Sequence, residues 1–366
     1  MKSYTFNMNK QNIVIYQVFV RNHSKEGTFN KLIEDLDRIK DLGVDVIYLL
    51  PIHEIGVLHR KGTYGSPYAI KDYFSISKDL GTLEDFKNLV NEVHKRDMRI
   101  IMDMVFNHTA PDNPLIKEHP EYYFYRNGKL ANQIGDWSDV VDLESKREDT
   151  QEYLLSVLKY WQSLGVDGYR FDVASFLPLE FFRKAREALG KDAFLLAECI
   201  EKSFGEYLVS IGHVYTDDQS LAKYFDYLYN YNWAEYMTNY LNKKGPLEEL
   251  VNKIKADDSN IFRANCLENH DRDRIASYFK EKDRLYEWVK FSFNLKGAAF
   301  IYAGQEYGIT HKPELFEKDP VIWPKENETY AFYKNLIKEK HNQKERDNDI
   351  SIKDGKVLLN GEIYNL

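Results

Sequence analysis

Cysteine is scarce: Cys199 and Cys266 are the only two in 366 residues. Two thiols cannot form a disulfide framework in a chain this long, so they read as small buried residues in a reducing compartment. Long apolar runs are missing too, and none approaches the ~20 residues of a membrane span. The stretch Ile13–Val20 is broken by Gln17 and lacks a small-residue cleavage site, so it reads as a strand. Met1–Lys10 carries Lys and Asn where a signal peptide would carry a hydrophobic core. A soluble, cytoplasmic protein with no membrane partner is expected. Clustered positive charge is the third absence. The net charge is −8 and the charges are dispersed, which argues against a nucleic-acid partner, because phosphate binding relies on grouped Lys and Arg.

Aromatic residues are plentiful, at 14% with 27 Tyr and 5 Trp. Most such rings serve the core. On a surface they offer an apolar face with a polar tip, which suits stacking on sugar rings. A hydrophobic share of 43% is enough for one large core and a small satellite.

Short β-branched runs alternate with helical patterns, the signature of βα units. Strands are predicted at Ile13–Val20, Val46–Leu50, Ile100–Val105, Gly168–Phe171 and Phe194–Ala197, then near Ala222–Tyr227, Phe262–Leu267 and Ala298–Tyr302. Helices are predicted from Thr28 to a stop at Gly43, over Thr82–Arg96, Asp149–Leu164 and Leu179–Leu189, and over Ala331–Lys340 to close the ring. Thr82 and Asp85 form a capping-box start. Between Thr109 and Asp142 prolines, Asn127-Gly128 and an aromatic cluster interrupt the alternation, which marks an insertion after the third strand. The expected organisation is a barrel from 1–108 and 143–346, an insertion over 109–142 and a C-terminal hairpin over 347–366 turning at Asn360-Gly361. Alternation alone would also suit a doubly wound sheet, so the motifs must decide.

Four polar clusters end predicted strands: Asp103-Met104-Val105-Phe106-Asn107-His108, Gly168-Tyr169-Arg170-Phe171-Asp172-Val173-Ala174, Leu196-Ala197-Glu198 and Glu268-Asn269-His270-Asp271. Singly, each acid has a plain reading as a helix cap, and Arg170 as an ion-pair partner. Four such clusters in four βα units point instead to one barrel mouth, where barrel enzymes place their chemistry. Glycoside cleavage needs an ionised and a protonated carboxyl side by side. Asp172 and Glu198 lie on consecutive strands. Arg170, two residues before Asp172, faces the same side and would hold it ionised. The apolar run before Glu198 favours the protonated form there. Asp271 could bind sugar hydroxyls.

Together these segments resemble the α-amylase family (glycoside hydrolase family 13) from Ile13 to about Lys340. The resemblance implies a (β/α)8 TIM barrel with a short domain B after the third strand and little or no C-terminal β-sandwich. It implies a retaining hydrolase of α-1,4-linked maltodextrins, with Asp172 as nucleophile, Glu198 as general acid/base and Asp271 as transition-state stabiliser. Arg170 and Asp103 would orient the nucleophile, His108 and His270 would hydrogen-bond the sugar, and Tyr68 would stack on it. Gly135–Leu143 is similar to the end of domain B, and Gly304-Gln305-Glu306 to the loop after the eighth strand. An α-glucan oligosaccharide is the implied partner; oligomeric state is not legible. No cofactor is required. Ala174-Ser175 replace the Lys-His found in many calcium-dependent members, which speaks against a structural calcium, although Asn107, Asp136 and Asp139 offer oxygens. Val173 is more like the neopullulanase and oligo-1,6-glucosidase members, so α-1,6 cleavage or glycosyl transfer is the alternative. A non-catalytic sugar-binding scaffold would be expected to have lost a carboxylate.

Overall fold

The computed structural model describes residues 9–135, 137–325 and 327–366. Its centre is a closed barrel of eight parallel strands: β1 Val14–Val18, β2 Val46–Leu49, β3 Arg99–Met104, β4 Gly168–Phe171, β5 Phe194–Ala197, β6 Tyr227–Tyr229, β7 Arg263–Asn265 and β8 Gly297–Tyr302. Each strand pairs with its neighbours in the chain, and β8 closes on β1. The doubly wound alternative is thereby excluded. The major helices outside the barrel are α1 Phe29–Leu42, α2 Leu83–Lys95, α3 Glu148–Ser163, α4 Leu179–Leu189, α5 Lys202–Ser210, α6 Tyr231–Leu241, α7 Leu247–Lys255, α8 Lys282–Asn294 and α9 Glu328–His341. None of the helices among the described residues is long and apolar enough to cross a membrane.

The capping signals act as the sequence predicts. Thr28 caps α1, which stops where Gly43 turns left-handed at φ 103. Thr82 and Asp85 form a full capping box on α2. The amphipathic stripes of these helices, among them Leu32, Leu36 and Ile39 and then Phe86, Leu89 and Val93, pack on the outside of the barrel. The interior is filled separately by Ile15, Val46, Tyr48, Ile101, Leu196 and Phe300, with Cys266 among them. Both cysteines are buried and free.

The floor of the barrel carries a repeated device. Asp45, Asp167 and Asp226 stand immediately before β2, β4 and β6. Their carboxylates accept from the backbone N–H groups of Val14 (2.8 Å), Ile100 (2.8 Å) and Leu195 (2.9 Å). Each also meets a basic side chain: His341 (2.9 Å), His94 (2.8 Å) and Arg186 (2.9 Å).

Three expectations are corrected. Val20 begins a one-turn helix, Val20–His23, instead of ending the first strand. The sixth strand begins at Tyr227, because Asp217 caps a short helix, Asp218–Leu221, that ends at Ala222. The C-terminus is a three-stranded meander, β9 Ile350–Lys353, β10 Lys356–Leu359 and β11 Glu362–Tyr364. Asn360-Gly361 makes the second turn (φ 52 and 86), and Asp354-Gly355 makes the first, likewise with both residues at positive φ (50 and 73).

After β3 the chain leaves the barrel. The antiparallel pair His108–Thr109 with Val141–Asp142 closes the base of this excursion, and a small hairpin, Tyr125–Arg126 with Lys129–Leu130, sits within it. Asp136, one of the oxygens weighed for calcium, lies outside the described residues, as do residues 1–8 of the expected barrel segment.

Candidate active site

The site is built around Arg170. Two-residue alternation on β4 puts its side chain on the same side as that of Asp172, and the guanidinium is fully buried. One terminal nitrogen, Nη1, donates to Asp103 (2.8 Å) at the end of β3 and to Asp172 (2.7 Å) just past β4. The other, Nη2, lies 2.9 Å from Oε1 of Glu198, just past β5. The second carboxylate oxygen of Glu198 accepts the Val173 backbone N–H at 2.7 Å. Val173 can present that N–H because it adopts a left-handed conformation (φ 37, ψ 47), which strains a β-branched residue.

A second chain of hydrogen bonds runs across the mouth. Gln17 on β1 donates to Nδ1 of His270 (3.1 Å), which places the ring proton on Nε2. His270 Nε2 lies 2.6 Å from the Tyr68 hydroxyl, and that hydroxyl donates to Asp103 at 3.0 Å. Tyr48, inside the barrel, donates to the same Asp103 oxygen at 2.6 Å. The Tyr68 ring lies almost parallel to that of His270, with centroids 5.3 Å apart. His270 Nε2 also approaches Asp271 at 3.1 Å.

Burial governs the titration of these groups. It lowers His108 to about 4 and, with the Arg170 charge adding, His270 to about 3. Both imidazoles are therefore neutral hydrogen-bonding groups near neutral pH. Burial raises Asp172 well above the usual carboxylate range. Arg170 opposes this without overcoming it, and Glu198 and Asp103 reinforce it, so the direction is opposite to the expectation that Arg170 holds Asp172 ionised. Burial also raises Asp103, against the pull of Arg170. One cation thus faces three carboxyls, an arrangement that favours retention of a proton among them.

Tyr68, His108, Asp172, Glu198, His270 and Asp271 line one cavity of about 260 Å3 that opens to solvent. Asp103 and Arg170 are not part of this lining, but they contact Tyr68, Asp172 and Glu198, which are. A neighbouring hollow of about 220 Å3, between Arg21, His53 and Asp79, contains none of these residues.

Residues 9–138 and 133–352 match the model of the alpha-amylase catalytic domain. The chain belongs to the alpha-amylase family. It is a glycoside hydrolase by that membership, and solved structures agree. An alpha-amylase from Lactobacillus plantarum is 36% identical, with a TM-score of 0.90 over 95% of this chain and 85% of that one. A noncanonic maltogenic alpha-amylase from Thermotoga neapolitana is 32% identical, with a TM-score of 0.81 over 92% and 78%. Among curated relatives, the intracellular maltogenic amylase of Bacillus subtilis is 26% identical over 85% of this chain and 54% of its own length. Trehalose-6-phosphate hydrolase of the same species is 28% identical over 81% and 64%. The chain thus spans between about half and two-thirds of those two relatives.

Several parts of this amylase-family site escape sequence reasoning. Gln17 and Tyr48 were visible only as polar breaks in apolar strands. Trp137, which faces His108 with centroids 5.8 Å apart, falls within the stretch likened to the end of domain B, but that likeness does not single it out as a site residue. Lys61, Leu315 and Phe316 also line the cavity, yet they come from irregular loops with no periodicity to read.

Proposed function

We propose that this enzyme hydrolyses α-1,4-glucosidic bonds of maltodextrins with retention of configuration, through a covalent glucosyl-enzyme on Asp172. The observation that carries this reading is the placement of Asp172 and Glu198 at the ends of adjacent strands, each touching the same buried guanidinium. Asp172 would attack the anomeric carbon as the glycosidic C–O bond breaks, and Glu198 would give its proton to the departing oxygen. Glu198 would then take a proton from water, whose oxygen displaces Asp172 from the sugar. The cluster of one cation and three carboxyls favours one shared proton among them, and the first step needs one protonated and one ionised group. Neutral His108 and His270 suit hydrogen bonding to sugar hydroxyls, Tyr68 offers a ring for stacking, and Asp271 suits a hydroxyl-binding role. Asp103 and Arg170 would hold the nucleophile in place. No cofactor enters these steps. Two free buried cysteines and an intracellular relative support action in the cytoplasm.

The test is the time course of products from maltohexaose and panose, comparing wild type with Asp172→Ala and Glu198→Gln. Wild type should release α-configured shorter sugars. Asp172→Ala should keep its fold while losing all but a trace of turnover, roughly a 10⁴-fold effect or more. Substantial activity in that variant would remove Asp172 from the nucleophile role. Preferential cleavage of panose at its α-1,6 bond would favour the alternative linkage, and products longer than the substrate would make the enzyme a transferase.

A further inference from the structure

We propose that the strap of residues 56–65 closes one end of the cavity and restricts the enzyme to the ends of glucan chains, with Lys61 as the residue that holds the closure. This deepens the maltodextrin reading above and rests on it.

Three separate parts of the chain meet at Lys61. Its ammonium lies 2.7 Å from Asp139 of the insertion, a carboxylate whose side chain is only 7% exposed. The same ammonium sits 5.9 Å from the centre of the Phe316 ring, which belongs to the loop after β8. Beside this junction the strap is fastened twice more to that loop. Tyr64 N–H donates to the Phe316 carbonyl at 3.0 Å, and Thr63 N–H donates to the Glu317 carboxylate at 2.9 Å. The strap also reaches the insertion through Val57 N–H, which donates to Asp112 at 2.9 Å.

The approach is close enough to dictate a residue. Gly62 has φ +62, and a Cβ there would stand 2.7 Å from both Phe316 Cβ and a Glu317 carboxylate oxygen. From below, the buried Arg21 guanidinium donates to the Gly65 carbonyl at 3.2 and 3.3 Å and also to the Leu315 carbonyl. Strap and loop are therefore held to one another on both sides.

Lys61, Leu315 and Phe316 line the cavity that holds Asp172 and Glu198, so this fastening forms one of its walls. The cavity, about 260 Å3 and open to solvent away from this wall, lies below the ~300–1,000 Å3 of common small-molecule sites. A cavity walled on this side takes the end of an oligosaccharide, whereas an internal bond could reach the carboxylates only if the chain ran past the wall. A cyclic glucan has no end to offer.

The experiment compares initial rates on linear maltohexaose and on α-cyclodextrin, which has six glucose units joined in a ring. Wild type should cut the linear substrate at least about a hundredfold faster. Lys61→Ala and, independently, Asp139→Asn should each shrink that ratio about tenfold or more. Lys61→Arg, which can keep the ion pair, should preserve it. An unchanged ratio in Lys61→Ala and Asp139→Asn proteins that melt as wild type does overturns the role given to Lys61. Cleavage of both substrates at similar rates by wild type overturns the inference alone. No cleavage of maltohexaose, with none of panose, overturns the maltodextrin reading and this inference with it.

Discussion

Arg170 shows how much one side chain organises here. Its guanidinium touches Asp103, Asp172 and Glu198, and its charge lies over the ring of Tyr229 at 5.5 Å. A lysine would keep the charge but not the planar fork that serves these carboxyls at once. Asp142 offers a sharper test of burial. Its oxygens accept from Gln133 N–H (2.7 Å) and from the Asn107 amide (3.4 Å), yet burial pushes its carboxyl up to about 7. The folded state keeps this proton to higher pH than the unfolded chain, whose aspartates titrate near ~3.9. Between these values the unfolded state binds fewer protons, so stability is fully present below about pH 4 and is lost as pH rises through about 7. The loss is on the order of 4 kcal/mol once complete. Melting curves from pH 4 to 8 should therefore fall more steeply for wild type than for Asp142→Asn. Parallel curves would mean that Asp142 is ionised throughout.

At the scale of elements, the position of a strand sets the position of an acid. Gly168 opens β4 directly opposite Phe194, which opens β5, and a Cβ at Gly168 would overlap the Phe194 carbonyl oxygen. Gly168→Ala should force these strands apart and displace Asp172 relative to Glu198. Turnover of maltohexaose should drop by about tenfold or more, while stability falls by about 1–3 kcal/mol. Unchanged kcat/KM would show that the strands can part without moving the carboxyls. The same strands explain what the sequence made legible. Arg170, Asp172 and Glu198 each follow or end a compact apolar run, so their place at the mouth could be read in advance. β6 has only three residues, too few for a periodic signal, and its predicted position was taken by the residues leading to it. The Lys61–Asp139 pair joins two irregular loops distant in sequence, a contact that only the closed barrel creates.

For the molecule as a whole, the C-terminal meander belongs to the packing of the barrel's helices. Ile350, Val357, Leu359 and Tyr364 are buried, and Tyr364 receives a hydrogen bond from Asn294 of α8 at 2.6 Å. Cohesion of this kind comes from side chains, and two of the residues weighed for calcium take part in such contacts. Asp139 is paired with Lys61, and the Asn107 amide donates to Asp142. Excess chelator should accordingly leave the melting temperature where it is, and a large fall would reveal a structural cation.

The aspartates on the barrel floor stitch the strands in couples: first with second, third with fourth, fifth with sixth. The joint between β4 and β5 is left as a seam, and it is the seam across which Asp172 and Glu198 face each other. At the mouth another carboxylate bridges it, since Glu198 holds the Val173 N–H on the far side. Any swing of Glu198 toward a bound sugar therefore releases this clasp at the mouth while the backbone ladder beneath it holds, and Glu198 must return for the clasp to be remade.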